Sequence, residues 1–156
     1  MAPVLNEAEF GLFQKLIEAE AGIVISTEKQ YLIRTRLDPL LMITGCRDFH
    51  ALYDMALSDT SLKADIVDLM TTNETSWFRD TVPFNVLEEK VIPGYFDELK
   101  SGKRSELKIW SAACSSGQEP YSVAIMLQEY AQKMRLTDTL PSIKIVATDI
   151  SRSILK

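Results

Sequence analysis

The chain has 156 residues, 46% of them apolar, which allows a packed core and argues against wholesale disorder. Its 17 basic and 22 acidic residues leave a formal net charge of −5, the wrong sign for a protein that binds nucleic acid by neutralising phosphates. One histidine, His50, and two cysteines, Cys46 and Cys114, exclude a four-ligand Cys/His zinc site, a two-histidine metalloprotease site and a disulfide framework; no metal is expected. No apolar run approaches the roughly 20 residues that span a bilayer, and the start, Met1 to Glu7, lacks the flank and apolar stretch of a secretory signal. A cytoplasmic protein without membrane insertion is expected.

The first seventy residues read as short helices. Asn6 and Glu9 stand at capping-box spacing, Phe10, Phe13 and Ile17 follow on one face, and Gly22 suits the helix end. Thr27 and Gln30 offer a second box before a stripe of Ile33, Leu37, Leu40 and Leu41. Pro39 predicts a kink in that helix, or a fresh start capped by Asp38, and Gly45 ends the segment. Asp48 should cap a third helix carrying Phe49, Leu52 and Met55. The cluster Ser58-Asp59-Thr60-Ser61 should open a fourth, with Leu62, Ile66 and Leu69 inward. Short loops and no strand-like alternation predict a small helical bundle over residues 1–70.

After a connecting segment over 71–106, which is expected to hold the Asn73–Arg79 motif and a helix, the pattern changes. Ser101-Gly102-Lys103-Arg104 reads as a loop, and Leu107 to Trp110 alternate as a strand. A small-residue loop, Ser111 to Gly117, leads into a helix with Glu119 and Pro120 in its first turn, running to about Arg135. Leu140-Pro141-Ser142 break the chain before a second strand, Ile143 to Thr148, closed by Asp149. Strand, loop, helix and strand predict a right-handed βαβ unit over 107–156. The fold class is therefore α plus α/β. Parallel sheets usually hold about 5–6 strands and are covered on both faces, so two strands predict a truncated piece of a longer protein or completion by a partner chain; truncation is the favoured expectation.

Ligands of α/β sheets bind at strand C-termini, which places the Ser111–Gly117 loop where a ligand can approach the backbone. The loop is neither a G-x-G-x-x-G fingerprint nor a phosphate loop, and it can equally be a simple turn. Glu119 either favours the helix dipole or accepts a cationic group; Asp149 either caps the next helix or accepts hydrogen bonds from ribose hydroxyls. Together they suggest an adenosine-bearing ligand with a charged, non-phosphate tail. In Asn73-Glu74-Thr75-Ser76-Trp77-Phe78-Arg79-Asp80, the aromatics either anchor a joint, with Arg79 paired to Asp80, or flank an arginine that clamps a carboxylate.

In order, these pieces resemble the CheR family of chemotaxis receptor methyltransferases. Its N-x-T-x-F-F-R signature is matched by Asn73 to Arg79, with Trp77 in place of one phenylalanine. Its W-S-A-A-x-S-x-G-E-E-P-Y-S loop is matched by Trp110 to Ser122, with Gln118 in place of the first glutamate, and its A-T/S-D-I ending by Ala147 to Ile150. The leader also fits, including Arg36-Leu37-Asp38-Pro39-Leu40 and the following Gly45.

The resemblance implies a Rossmann-like domain that uses S-adenosyl-L-methionine, with S-adenosyl-L-homocysteine as product, to esterify glutamate side chains on the cytoplasmic helices of methyl-accepting chemoreceptors. By carry-over, Asp149 should hold the ribose hydroxyls and Glu119 the methionine portion. Asn73, Thr75 and Arg79 should line the pocket, with Arg79 as the catalytic residue near the methionine carboxylate or the transferred methyl, and Ala113 should pass close to the cofactor. The helical leader should recognise receptors, and Lys29, Arg34 and Arg36, with Arg47, give residues 27–47 a local positive excess that can steer toward acidic helices or simply be a solvated face. Gln118 and Trp77 keep open an alternative, a non-catalytic receptor-docking or ligand-sensing module. A nicotinamide oxidoreductase is disfavoured by the missing glycine fingerprint.

Overall fold

A computed structural model describes residues 3–155, save for the side chains of residues 140 and 141. Met1, Ala2 and Lys156, and the side chains expected to break the chain at 140–141, lie outside the described residues. The chain divides into two compact units, Met1–Thr72 and Asn73–Lys156. Of the connecting segment expected over 71–106, residues 73–106 fall within the second unit.

In the first unit, Asn6 Oδ1 accepts the Glu9 N–H and Glu9 Oε2 accepts the Asn6 N–H, each at 2.9 Å, which is the reciprocal box at the start of α1 (Glu7–Ala21). Gly22, at φ 67°, ends that helix by donating to the Glu18 carbonyl. The second box does not form. A single 3-10 turn, Thr27–Lys29, leads into α2 (Gln30–Thr44), and the Gln30 amide instead donates to the Leu5 carbonyl at 3.0 Å.

Helix α2 continues through Pro39 with no fresh start at Asp38. Leu37, Leu40 and Leu41 are buried on both sides of the proline, and their burial offsets the roughly 3 kcal/mol that an interior proline costs. Asp48 caps α3 (Phe49–Ser58) and Asp59 caps α4 (Thr60–Met70), each accepting backbone N–H groups of the first turn. Met55, expected on the same helix as Phe49 and Leu52, and Leu69, expected inward, are 39% and 37% exposed; Ala56 and Met70, each four residues beyond a buried Leu52 or Ile66, are buried instead. The core centres on Phe13, which meets Phe49 and Tyr53 edge-on with ring centroids 6.3 and 5.8 Å away.

The second unit opens with the Asn73–Asp80 segment and a helical run, α5 (Thr81–Val86), a π turn (Leu87–Val91) and α6 (Ile92–Lys100). Pro93 has no N–H to return to residue 89, and the helix widens ahead of it. Strands β1 (Leu107–Ala112) and β2 (Ile143–Thr148) pair in parallel with Leu107 opposite Ile143 and Ala112 opposite Thr148. They are joined through α7 (Gln118–Met134), where Pro120 is the third helical residue. Ile109, Ile143 and Ile145 face a core of Phe84, Ile92, Phe96, Val123, Met126, Leu127 and Ala131. The opposite face is open, with Trp110 and Val146 at 71% and 53% exposure, so this sheet does not show the two-sided burial usual for parallel strands.

Candidate functional site

The C-terminal end of β1 turns sharply into α7. Ala113 and Ser115 adopt left-handed backbone conformations at φ 62° and 49°, and so do Phe78 and Asp80 at 50° and 57°. Among the described residues only one other non-glycine residue, Arg135, does so. Such conformations cost energy at residues with a Cβ and persist only where surrounding bonds enforce them.

Those bonds are present. Ser115 donates its N–H to Asp149 Oδ2 at 2.7 Å, and Ser151 donates its N–H to Asp149 Oδ1 at 2.8 Å. The Ser115 hydroxyl donates to the Asn73 carbonyl at 3.0 Å, and the Asn73 amide donates to Ser151 Oγ at 3.2 Å. Asn73, Ser115, Asp149 and Ser151 thus form a closed ring of four hydrogen bonds, with both serines buried. A second clasp lies alongside. Ser122, fully buried on α7, accepts the Phe78 N–H at 3.0 Å and donates to the Gln118 carbonyl at 2.6 Å, holding the segment that carries Arg79 against the helix that carries Glu119.

The residues so held border two adjoining hollows. One, of about 200 Å³, is lined by Glu74, Thr75, Ser76, Arg79, Asp80, Phe84, Ala113 and Glu119. The other, of about 360 Å³, shares Arg79, Asp80, Phe84 and Glu119 and adds Trp110, Ser111 and an apolar wall including Pro83, Leu87, Ile109 and Val123. This is the size and mixture, apolar walls with a few fixed polar groups, of small-molecule sites. Arg79 donates to the Glu74 carbonyl at 2.6 Å and lies 3.8 and 4.0 Å from the Glu74 and Asp80 carboxylates. Among the described residues, the Glu119 carboxylate is bonded on one oxygen, by the Ser111 hydroxyl at 2.6 Å. Burial pushes the Cys114 thiol up, and the Asp149 and Glu119 carboxylates push it further, so the thiol stays protonated and is no nucleophile near neutral pH.

Of the expected site residues, Thr75, Arg79, Ala113 and Glu119 come together around one hollow. Asn73 and Asp149 line neither of the two; they belong to the ring beneath the loop. Ser111, Ser115, Ser122 and Ser151 were not singled out from the sequence, since a serine among small residues gives no signal of what its hydroxyl will meet. In the first unit, Lys29 and Arg34 are exposed on or beside α2, whereas Arg36 donates to the Leu69 and Thr71 carbonyls at 3.1 Å and closes the end of α4.

A helical unit followed by a parallel βαβ unit, with a polar hollow at the strand ends, defines a ligand-binding α/β protein with a helical leader. Residues 73–156 match the SAM binding domain of CheR methyltransferases, and residues 8–71 match their all-alpha domain. The chain belongs to the CheR methyltransferase family, whose matched domain takes S-adenosyl-L-methionine as cofactor. It is 43% identical over 149 residues to chemotaxis protein methyltransferase 1 of Pseudomonas aeruginosa, covering 95% of this chain and 53% of that protein. It is 45% identical over 157 residues to the chemotaxis protein methyltransferase of Vibrio parahaemolyticus, covering 99% and 54%. With that of Borreliella burgdorferi the identity is 35% over 153 residues, covering 97% and 53%. The chain spans about half the length of the curated relatives it matches. Among the described residues no helix is long and apolar enough to cross a membrane, and no group of three or more His, Cys, Asp or Glu could hold a metal ion.

Proposed function

We propose that the protein carrying this chain methylates glutamate side chains on the cytoplasmic helices of chemoreceptors, as a cytoplasmic protein-glutamate O-methyltransferase. The observation that carries this reading is the separation of charges in the hollow. Arg79 and Glu119 line the same space, yet Arg79 is held by Glu74 and Asp80 while Glu119 is held by Ser111, with no ion pair between them. A fixed cation and a fixed anion kept apart suit the carboxylate and ammonium of an amino-acid zwitterion, which the methionine portion of S-adenosylmethionine presents.

When bound, S-adenosylmethionine supplies a sulfonium methyl that is electrophilic without further activation. The residues of the chain then bind, orient and exclude water. Glu119 receives the ammonium, Arg79 the carboxylate, and Thr75 and Ala113 border the space between. Asp149 sits at the end of β2, where each of its oxygens has one backbone donor and spare lone pairs for ribose hydroxyls. No general base is required, because a glutamate substrate with a pKa near ~4.3 is already ionised at neutral pH. Catalysis then rests on alignment of the two reacting groups. Lys29 and Arg34 on the helical unit would attract acidic receptor helices, with Arg36 supporting the end of α4.

The test is incubation with tritiated S-adenosylmethionine and chemoreceptor cytoplasmic fragments. Base-labile label, released as methanol and absent when the receptor glutamates are replaced by glutamine, is expected; Arg79→Ala should abolish it. Cofactor binding without transfer to any receptor fragment would overturn the enzyme reading in favour of a docking or sensing module.

A further inference from the structure

Glu119 is exposed, in the first turn of α7, and an unrestrained glutamate there would sample several rotamers. Its single partner among the described residues is Ser111, 5% exposed at the C-terminal end of β1, whose hydroxyl donates to Glu119 Oε1 at 2.6 Å. That length is typical of a strong hydroxyl–carboxylate bond. The backbone of Ser111 is locked in the sheet opposite Ala147, so the donor cannot follow a wandering carboxylate; the carboxylate must come to the donor. With Oε1 anchored by the Ser111 hydroxyl, the second oxygen, which has no hydrogen-bond partner among the described residues, is held ready to accept from whatever occupies the hollow that both residues line.

We propose that Ser111 is a positioning residue that aims Glu119 at the ammonium of the ligand and so makes the site select nucleosides bearing an amino-acid tail. The inference rests on the reading of the hollow given above. Ser111 touches no reacting atom; it acts through Glu119. The Arg79 side of the hollow has its own supports in Glu74 and Asp80 and does not depend on this bond.

The experiment is isothermal titration of the full chain with two probes, S-adenosylhomocysteine, which carries the ammonium, and 5′-methylthioadenosine, which lacks the amino-acid tail. Ser111→Ala should weaken S-adenosylhomocysteine about tenfold, the scale of one hydrogen bond to a charged group, and leave 5′-methylthioadenosine within about twofold. Ser111→Cys, which has the same shape with a slightly larger atom and donates only weakly, should behave like Ser111→Ala, which separates the hydroxyl from packing. In a Glu119→Ala background, Ser111→Ala should cost nothing further. Equal losses on both probes, no loss on either, or additive losses in the double variant would overturn the inference while leaving the cofactor reading intact. Failure of the wild-type chain to bind either probe would overturn both. Retained 5′-methylthioadenosine binding also shows that each variant is folded.

Discussion

The backbone N–H of Ser115 points into the carboxylate of Asp149 at 2.7 Å, across the ends of the two parallel strands. The acid expected to meet the ligand's ribose is therefore also the clasp that holds the β1–α7 loop in its left-handed turns. Asp149→Ala should lower stability by about 1–3 kcal/mol, because it strands backbone donors that had a charged acceptor. Urea unfolding would measure the loss, and amide exchange at Ser115 and Ser151 should rise together. Unchanged exchange at both would show that the ring is not a cooperative unit.

Ser122 makes a different prediction. It is fully buried and bonded to both Phe78 and Gln118. Ser122→Ala leaves the Phe78 N–H without its partner and releases a strained residue one position before Arg79, at an expected cost of about 1–2 kcal/mol. Exchange at the Phe78 amide should accelerate more than exchange in the middle of α7, and affinity for S-adenosylhomocysteine should fall with it. Ser122→Thr, which keeps the hydroxyl, should recover part of the protection.

In the helical unit, Glu9 serves two helix starts, accepting the Asn6 N–H and, from 41 residues away, the His50 N–H at 3.2 Å. Glu9→Ala should therefore destabilise this unit by more than loss of one cap, about 1–3 kcal/mol. Thermal melting followed by circular dichroism would read it. Asn6→Ala removes only the other half of the box and should cost less.

Glu106 binds both Lys144 and Lys108, residues that face each other in the strand register. Hydrogen bonds from Lys144 first and Lys108 second hold its carboxyl below the usual carboxylate range. A depressed carboxylate contributes stability that is present above its unfolded pKa, near ~4.3, and is lost as pH falls through the lower folded value. Carboxyl NMR titration should place Glu106 below an ordinary glutamate, and Lys144→Ala should move it upward. An unmoved titration would show that the pair exerts no hold in solution. The effect on global stability should be small, since the pair is exposed.

Much of the local architecture was legible in the residues. Asn6 with Glu9, Gly22, Asp48 and Asp59 act within three or four positions of themselves, so their capping roles follow from spacing alone. Both strands and α7 were readable from the change of period after residue 100. The residues alone do not choose between a kinked α2 and a fresh start at Asp38, because continuity through Pro39 depends on burial of Leu37, Leu40 and Leu41 by other helices. The π turn before Pro93 and the outward placement of Leu69 were not legible either.

For the site, the sequence by itself determined the ordered motifs, and with them the family and the candidates Arg79, Glu119 and Asp149. Only the tertiary structure decided what each charge would touch: Arg79 turned to its own segment, Glu119 to Ser111 on β1, and Asp149 to a loop 34 residues away. The physical reason is range. A cap or a turn is chosen by neighbours within one helical turn, whereas the partners of a carboxylate at a strand end are brought there by sheet register and helix packing, which no short stretch of chain encodes.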